Sequence, residues 1–331
     1  PGYVNLTWNK YGGIQYVQVR YSDDNGSTWP DGYIIANNTS AAGSPLNWTI
    51  PDNMSALVKI RVTDKGNANV VSTSNDTFSI KGGILIVYPN GGENLTVNQT
   101  YNIQWKTTGT YIAPILLQYS EDAGNTIWTN ISNVTPGNST EVMNYSWRVP
   151  DNISSTFKIR ALTQEGAASI DVSDASNATF KAVGNVSLTQ PDAPDNWYFS
   201  QKNDIKWISN GTFPVLIEYA NDQAVSNWIA INNSTTSVPG LNTFNWTIPD
   251  DNSEYCKVRV SDNRSVFQNL TTDTSTSFFT IRPIINITQP TTGQNVQANS
   301  NSTAIRWTYT GNTTGDVKVQ YSTNGGGAWT N

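Results

Sequence analysis

The side chains able to do chemistry in this sequence are few and of one kind. There is no histidine and a single cysteine, Cys256. That removes the commonest general base and metal ligand, any disulfide within the chain and any cysteine-built zinc site. What remains is acidic. The run Ser22-Asp23-Asp24-Asn25-Gly26-Ser27-Thr28-Trp29 has the form Ser-x-Asp-x-Gly-x-Thr-Trp. It returns as Ser120-Glu121-Asp122-Ala123-Gly124-Asn125-Thr126, with Trp128 one place late, and as YSTNGGGAW near the end; residues 221–228 lack it. Short Asp, Asn and Gly side chains at such spacing serve tight turns, so the expected role is a hairpin. Asp250, Asp251 and Glu254 cluster, as do Asp192 and Asp195. Calcium needs six to eight oxygens, which Asp-Asn loops between modules can supply, yet no EF-hand spacing occurs and turn chemistry alone explains the Pro-Asp pairs. A glycosidase needs two facing carboxylates, and no acidic position recurs with a partner. No catalytic residue and no resident cofactor are expected; calcium is the one cation the acidic loops admit.

The elements that carry these turns recur. Trp8, Trp105, Trp207 and Trp307 fall in one column at steps of about 100 residues; Trp29, Trp128, Trp228 and Trp329 form a second; Trp48, Trp147 and Trp246 form a third. Tyr21, Tyr119, Tyr219 and Tyr321 keep the same period, as do Pro51, Pro150 and Pro249, and the runs VKIRV, FKIRA and CKVRV. The repeats run 1–82, 83–184, 185–283 and 284–331, the first without an opening strand and the last an N-terminal half. In Val58-Lys59-Ile60-Arg61-Val62 apolar and charged residues alternate, which marks strands with one face buried and one wet. About seven short strands per hundred residues, with an early Trp, predict an all-β chain of tandem Ig-like β-sandwiches. All eleven column tryptophans are expected in cores, each indole removing roughly 150–250 Å² from water. Trp197, outside the columns beside Tyr198 and Phe199, is expected to be an exposed aromatic. Cys256, in the column of Val58 and Phe157, is expected to be a small buried hydrophobe. Brief junctions such as Phe180–Gly184 point to a semi-rigid rod.

The stretch YPNGGENLTVNQTYNIQWKTTG (88–109), followed later by WRVP and FKIRA, resembles the Kre9/Knh1-like, Ig-like repeats of microbial cell-surface proteins. Only the second repeat carries the full Gly-Gly-Glu; QPDAPDN and QPTTGQN stand there in the next two. The resemblance implies extracellular structural or adhesive modules and supplies no catalytic residue. The Ser-x-Asp-x-Gly-x-Thr-Trp run also resembles the Asp box of sialidase propellers, where it implies a turn remote from catalysis; propeller blades recur at about 40–50 residues.

Charged residues make up only 13% and the formal net charge is −6. An acidic chain without a Lys/Arg cluster is a poor nucleic-acid partner, and no apolar run reaches the roughly 18 residues of a membrane span. Asn, Ser and Thr fill the surface instead. About two dozen Asn-x-Ser/Thr sequons stand where composition predicts roughly nine. Asn5, Asn47, Asn94, Asn98, Asn144, Asn152, Asn177, Asn210, Asn245, Asn263, Asn286 and Asn312 are the expected N-glycan acceptors. The sum predicts a structural segment of an extracellular filament, surface-layer stalk or fibrillar adhesin, of archaeal or bacterial source, whose partners are further copies and its own glycans. The rival is a carbohydrate-binding or adhesive module set appended to a hydrolase, with Trp197 as its platform.

Overall fold

The structure, a computed structural model, describes residues 3–109, 114–137, 141–163, 171–192, 194–301, 304–312 and 316–331. Among them the secondary structure is strand apart from one short 3₁₀ turn, Asp31–Tyr33. Alternation decides the strands. In Tyr16–Ser22 the side chains of Val17, Val19 and Tyr21 are buried while Gln18 and Arg20 look outward. In Ser253–Asp262 the core takes Cys256, Val258 and Val260, and Lys257 and Arg259 lie on the other side.

Each full repeat is two sheets. In residues 83–184 the smaller sheet is Met143–Arg148, Thr100–Thr108 and Gly83–Tyr88, in that order. The larger one runs Thr129–Val134, Ile115–Ser120, Ser154–Thr163, Phe180–Val183 and Asn94–Thr96, with Ser173–Ala175 also on Ser154–Thr163. The third repeat has the same order, opening at Asn185. The first repeat pairs only Tyr3–Leu6 with Leu46–Thr49 in its small sheet. Residues 284–331 hold one antiparallel pair, Ile284–Gln289 with Arg306–Thr310. The chain forms two compact units. One comprises residues 1–95, 99–150 and 154–182; the other comprises 96–98, 151–153 and 183–331.

Cores sit between the sheets. Trp105 on Thr100–Thr108 and Trp207 on Lys202–Asn210, the third strand of each repeat, are fully buried. Trp48, Trp147 and Trp246 are buried too, the first two edge-on to Phe78 and Phe180 at 6.3 and 6.4 Å. Trp8 is half-buried, its indole N–H donating to the Ala41 carbonyl at 3.1 Å, while Trp307 and Trp329 are exposed.

Trp197 is not an exposed platform. Its strand Asn196–Tyr198 pairs in parallel with Phe279–Arg282, opposite Ile281, and its indole is 4% exposed. It packs on Trp246 (5.9 Å) and Phe279 (4.8 Å). The corresponding strand of the second repeat is Asn94–Thr96, whose middle residue Leu95 is also buried. A three-residue strand points one side chain inward and two outward, so the third repeat fills a leucine's place with a larger ring. Trp197→Ala is therefore expected to lower the unfolding free energy by about 3–5 kcal/mol in urea titrations; a loss within about 0.5 kcal/mol, as at a surface site, would contradict the placement.

Candidate functional site

The constellation that looked most like chemistry is a turn. Ser22 ends its strand, and Asn25 (φ 63°) and Gly26 (φ 82°) follow in the left-handed region. Two consecutive positive φ values make the chain reverse in the sense that suits a twisted hairpin. Asp24 holds the loop: one carboxylate oxygen takes the Ser22 hydroxyl (2.5 Å) and the Thr28 N–H (3.0 Å), the other the Thr28 hydroxyl (2.6 Å). The Gly26 N–H donates to Ser22 Oγ at 2.9 Å, and the Trp29 indole N–H to the Gly26 carbonyl at 3.0 Å. Asp122 does the same work in the second repeat with Ser120 and Thr126. Both carboxylate oxygens of Asp24 and of Asp122 accept hydrogen bonds from within their own turn.

The third repeat keeps this device although its letters conceal it. Asp222 accepts from the Ser226 N–H (3.2 Å) and the Asn227 N–H (3.3 Å), and Val225 occupies the left-handed position at φ 52°. In the last repeat Asn324 stands in for the acid, accepting from the Ala328 N–H at 2.8 Å.

The tryptophan that follows each turn is not in the core, a second correction to the expected placement. Trp29, Trp128 and Trp228 are half-buried. They fold back over the outward side of the large sheet, where the guanidinium groups of Arg61, Arg160 and Arg259 lie 4.1–4.2 Å from the ring centroids. Arg61, Arg160 and Arg259 keep the period of about 99 residues within the aligned runs. They stand opposite Arg20, Gln118 and Glu218 on the neighbouring strand. Arg160 Nε donates to Gln118 Oε1 at 2.6 Å, and Arg259 closes a 2.7 Å salt bridge to Glu218. In the first repeat two cations face each other. Arg20 turns instead to Asp31 (2.9 Å) and the Trp29 carbonyl (2.7 Å). Burial first, and then the Arg20 charge, lower the pKa of Arg61. The arginine column was the missed signal, visible as a fixed letter at the fourth position of VKIRV, FKIRA and CKVRV.

The acidic clusters also have protein partners. Asp251 accepts the Tyr219 hydroxyl at 2.8 Å; burial, and then this bond, push the phenol well above its ordinary pKa. Asp192 takes the Thr276 hydroxyl (2.8 Å), and Asp195 takes the Asp192 N–H (3.1 Å). Asp250 accepts the Asn312 N–H at 2.5 Å. Among the described residues no group of three or more acidic or cysteine side chains converges as a metal site would require. Cys256 is buried, and burial pushes its thiol up to about 11.

Of the candidate glycan acceptors, Asn5, Asn47, Asn94, Asn144, Asn152, Asn177, Asn245, Asn263, Asn286 and Asn312 are exposed, and Asn98 and Asn210 are half-buried. Asn5 and Asn47 lie directly opposite each other on paired strands. Ahead of the first large sheet an open groove of about 700 Å³ is lined by Leu6, Trp8, Tyr11, Val62 and Val71. In the second and third repeats the opening strand packs on the equivalent short strand, where the Ile86 N–H donates to Asp174 and the Leu188 N–H to Asp273, both at 2.7 Å.

The fold and these sites define an all-β array of tandem Ig-like sandwich modules with Asp-anchored turns. Among solved structures the chain is similar to the fibronectin(III)-like modules of CbhA from Clostridium thermocellum, at 16% identity, 60% of this chain and 94% of that one, TM-score 0.20. It is also similar to the I67–I69 fragment of titin (9%, 85% and 92%, TM-score 0.30). A third similar structure is Dpr2 Ig1-Ig2 in complex with DIP-Theta Ig1-Ig3 (10%, 82% and 91%, TM-score 0.24). No family model and no curated protein matches. No described helix is long and apolar enough to cross a membrane.

Two outcomes test these placements. The hydrogen bonds from Ser22 and then Thr28 lower the Asp24 carboxyl from 3.8 to about 2. A depressed folded pKa means the stabilisation is complete above the unfolded value and fades as pH falls through the folded one. The Thr28 amide shift in NMR is accordingly expected to titrate with a midpoint near 2; a midpoint at the ordinary value of 3.8 would dissolve the turn network. Cys256 is expected to resist a thiol reagent in native buffer at neutral pH and to react fully in denaturant, whereas rapid native labelling would expose it.

Proposed function

We propose that this chain is a structural repeat segment of an extracellular, N-glycosylated microbial filament, surface-layer stalk or fibrillar adhesin, and that it performs no catalysis. The observation that supports this most is that Asp24, Asp122, Asp192, Asp195, Asp250 and Asp251 accept hydrogen bonds that hold a turn, a tyrosine or a neighbouring loop. A catalytic acid or base must instead face a place where a reacting group can sit.

Sequon placement supports the extracellular part. Most of the acceptors are exposed, and in Asn47-Trp48-Thr49 and Asn245-Trp246-Thr247 the buried indole sends both sequon side chains outward. Glycans there hydrate a surface short of charge and cover the open edges of the sheets. The proposed partners are further copies of the chain and its own sugars; resident calcium is not required by any carboxylate cluster. The carbohydrate-binding alternative loses its named platform with the burial of Trp197.

Glycopeptide mass spectrometry on protein from its native surface is the direct test. Occupied sites are expected at several of the exposed asparagines, Asn47 and Asn245 among them. Unmodified peptides throughout, or a native mass of 36.3 kDa, would end the glycoprotein reading.

A further inference from the structure

A second use of aspartate recurs where one module meets the next. Each third-column tryptophan is followed by a Pro-Asp turn, at Asp52, Asp151 and Asp250. Each following repeat carries a glycine soon after its first-column tryptophan, at Gly109, Gly211 and Gly311, with φ of +89°, +96° and +96°. These two places meet. The Thr212 N–H donates to Asp151 Oδ1 at 3.1 Å, and the Thr212 hydroxyl to Oδ2 at 3.3 Å. The Asn312 N–H donates to Asp250 Oδ1 at 2.5 Å. A Cβ built on Gly109 would stand 3.2 Å from Asp52 Oδ1, and one on Gly311 3.0 Å from Asp250 Oδ1. All three pairs lie inside one compact unit or the other, since residues 151–153 belong with the third repeat.

We infer that the Asp52–Gly109 and Asp250–Gly311 pairs are a repeated clasp: the Pro-Asp turn of one module is an interaction surface whose partner is the glycine turn of the next, and within each compact unit the clasp restrains motion between its two modules. Three features make the fit specific. The glycine is needed twice over, because its backbone is left-handed and because a side chain would crowd the carboxylate at Gly109 and Gly311 and Val97 at Gly211. The N–H that follows Gly211 and Gly311, on Thr212 and Asn312, donates to the aspartate, which supplies the acceptor a backbone donor at the turn requires. Apolar atoms close the rim: Met54 lies beside Gly109, Ile153 and Val97 beside Gly211, and Phe199 beside Gly311. Modules joined by short connections otherwise move relative to one another unless their interface is extensive. The inference concerns geometry between modules and stands apart from the proposed extracellular role.

Spin-label distance measurements test it on the full chain. Because Cys256 is buried, label pairs attach at introduced cysteines: Asp76→Cys with Asn102→Cys across the first junction, and Val266→Cys with Thr308→Cys across the third. Asp52→Ala should widen the first distance distribution by roughly twofold, and Asp250→Ala the second, as expected for a freed hinge. Asp250→Asn, which keeps an acceptor oxygen, should leave it narrow. Asp31→Ala, whose ion pair with Arg20 lies within one module, should change neither. Urea midpoints should stay in place, showing that the modules remain folded. Unaltered distributions in both Asp→Ala variants would overturn the clasp. So would equal widening of the unsubstituted protein by a calcium chelator, since a bridging cation would then join the modules.

Discussion

Burial of an indole between two sheets is the constraint on which the other features depend. With one cysteine no disulfide within the chain can close a module, and among the described residues no cluster of His, Cys, Asp or Glu forms a metal-ligand set. Each module must exclude water over enough apolar surface to offset the entropy of ordering about a hundred residues. Trp105 and Trp147 in the second repeat, and Trp207, Trp246 and Trp197 in the third, meet that demand against Phe157, Phe180, Phe213 and Phe279. Where a full pair of sheets is not assembled the same letters behave differently: Trp307, in a segment with a single pair of strands, is 38% exposed.

Because these rings alternate with polar residues along each strand, the outer faces are fixed as soon as the cores are. The sparse arginines gain most where a flat guanidinium can lie on an aromatic ring and still reach a planar acceptor. Arg160 and Arg259 do both, and Arg61 does the first without the second, because Arg20 stands opposite it. Like charges on facing positions of a sheet repel. The first repeat relieves this by drawing Arg20 toward Asp31. The Trp–Arg layer therefore belongs to the fold of the C-terminal side of each hairpin, and its half-exposed rings are covered by cations that a sugar would have to displace.

How much of this was legible follows from what each residue must do. Fold class and strand positions were written in alternation and in the period of the tryptophans, since both follow from a backbone whose side chains point to opposite faces every second residue. Depth was not. Trp29 shares the period of Trp8 and Trp48, yet recurrence reports that a contact is repeated, not that it is internal. Trp197 broke the period and lay inside, because its place accepts either a leucine or an indole so long as the residue is apolar. The Asp222 turn escaped notice because its requirement is an acceptor followed by backbone N–H groups, which Ser-x-Asp-x-Gly-x-Thr-Trp describes too narrowly. The Asp–glycine contacts were hidden for another reason. Pro-Asp reads locally as a turn, and nothing in the sequence says that the carboxylate oxygens face the next repeat.

Aspartate thus appears twice in the second and third repeats in one physical role, as a short, rigid acceptor for backbone donors that no sheet satisfies. At the hairpin it closes the loop on itself; after the third tryptophan it closes onto the following glycine turn. A longer acid would have to order more bonds for the same hydrogen bond, which favours aspartate or asparagine at these places, although Glu93 does similar work for the Asn90 and Gly91 N–H groups. With charged residues at only 13%, the polar character of the outer faces rests largely on Asn, Ser and Thr side chains, the residues that also make up the Asn-x-Ser/Thr sequons.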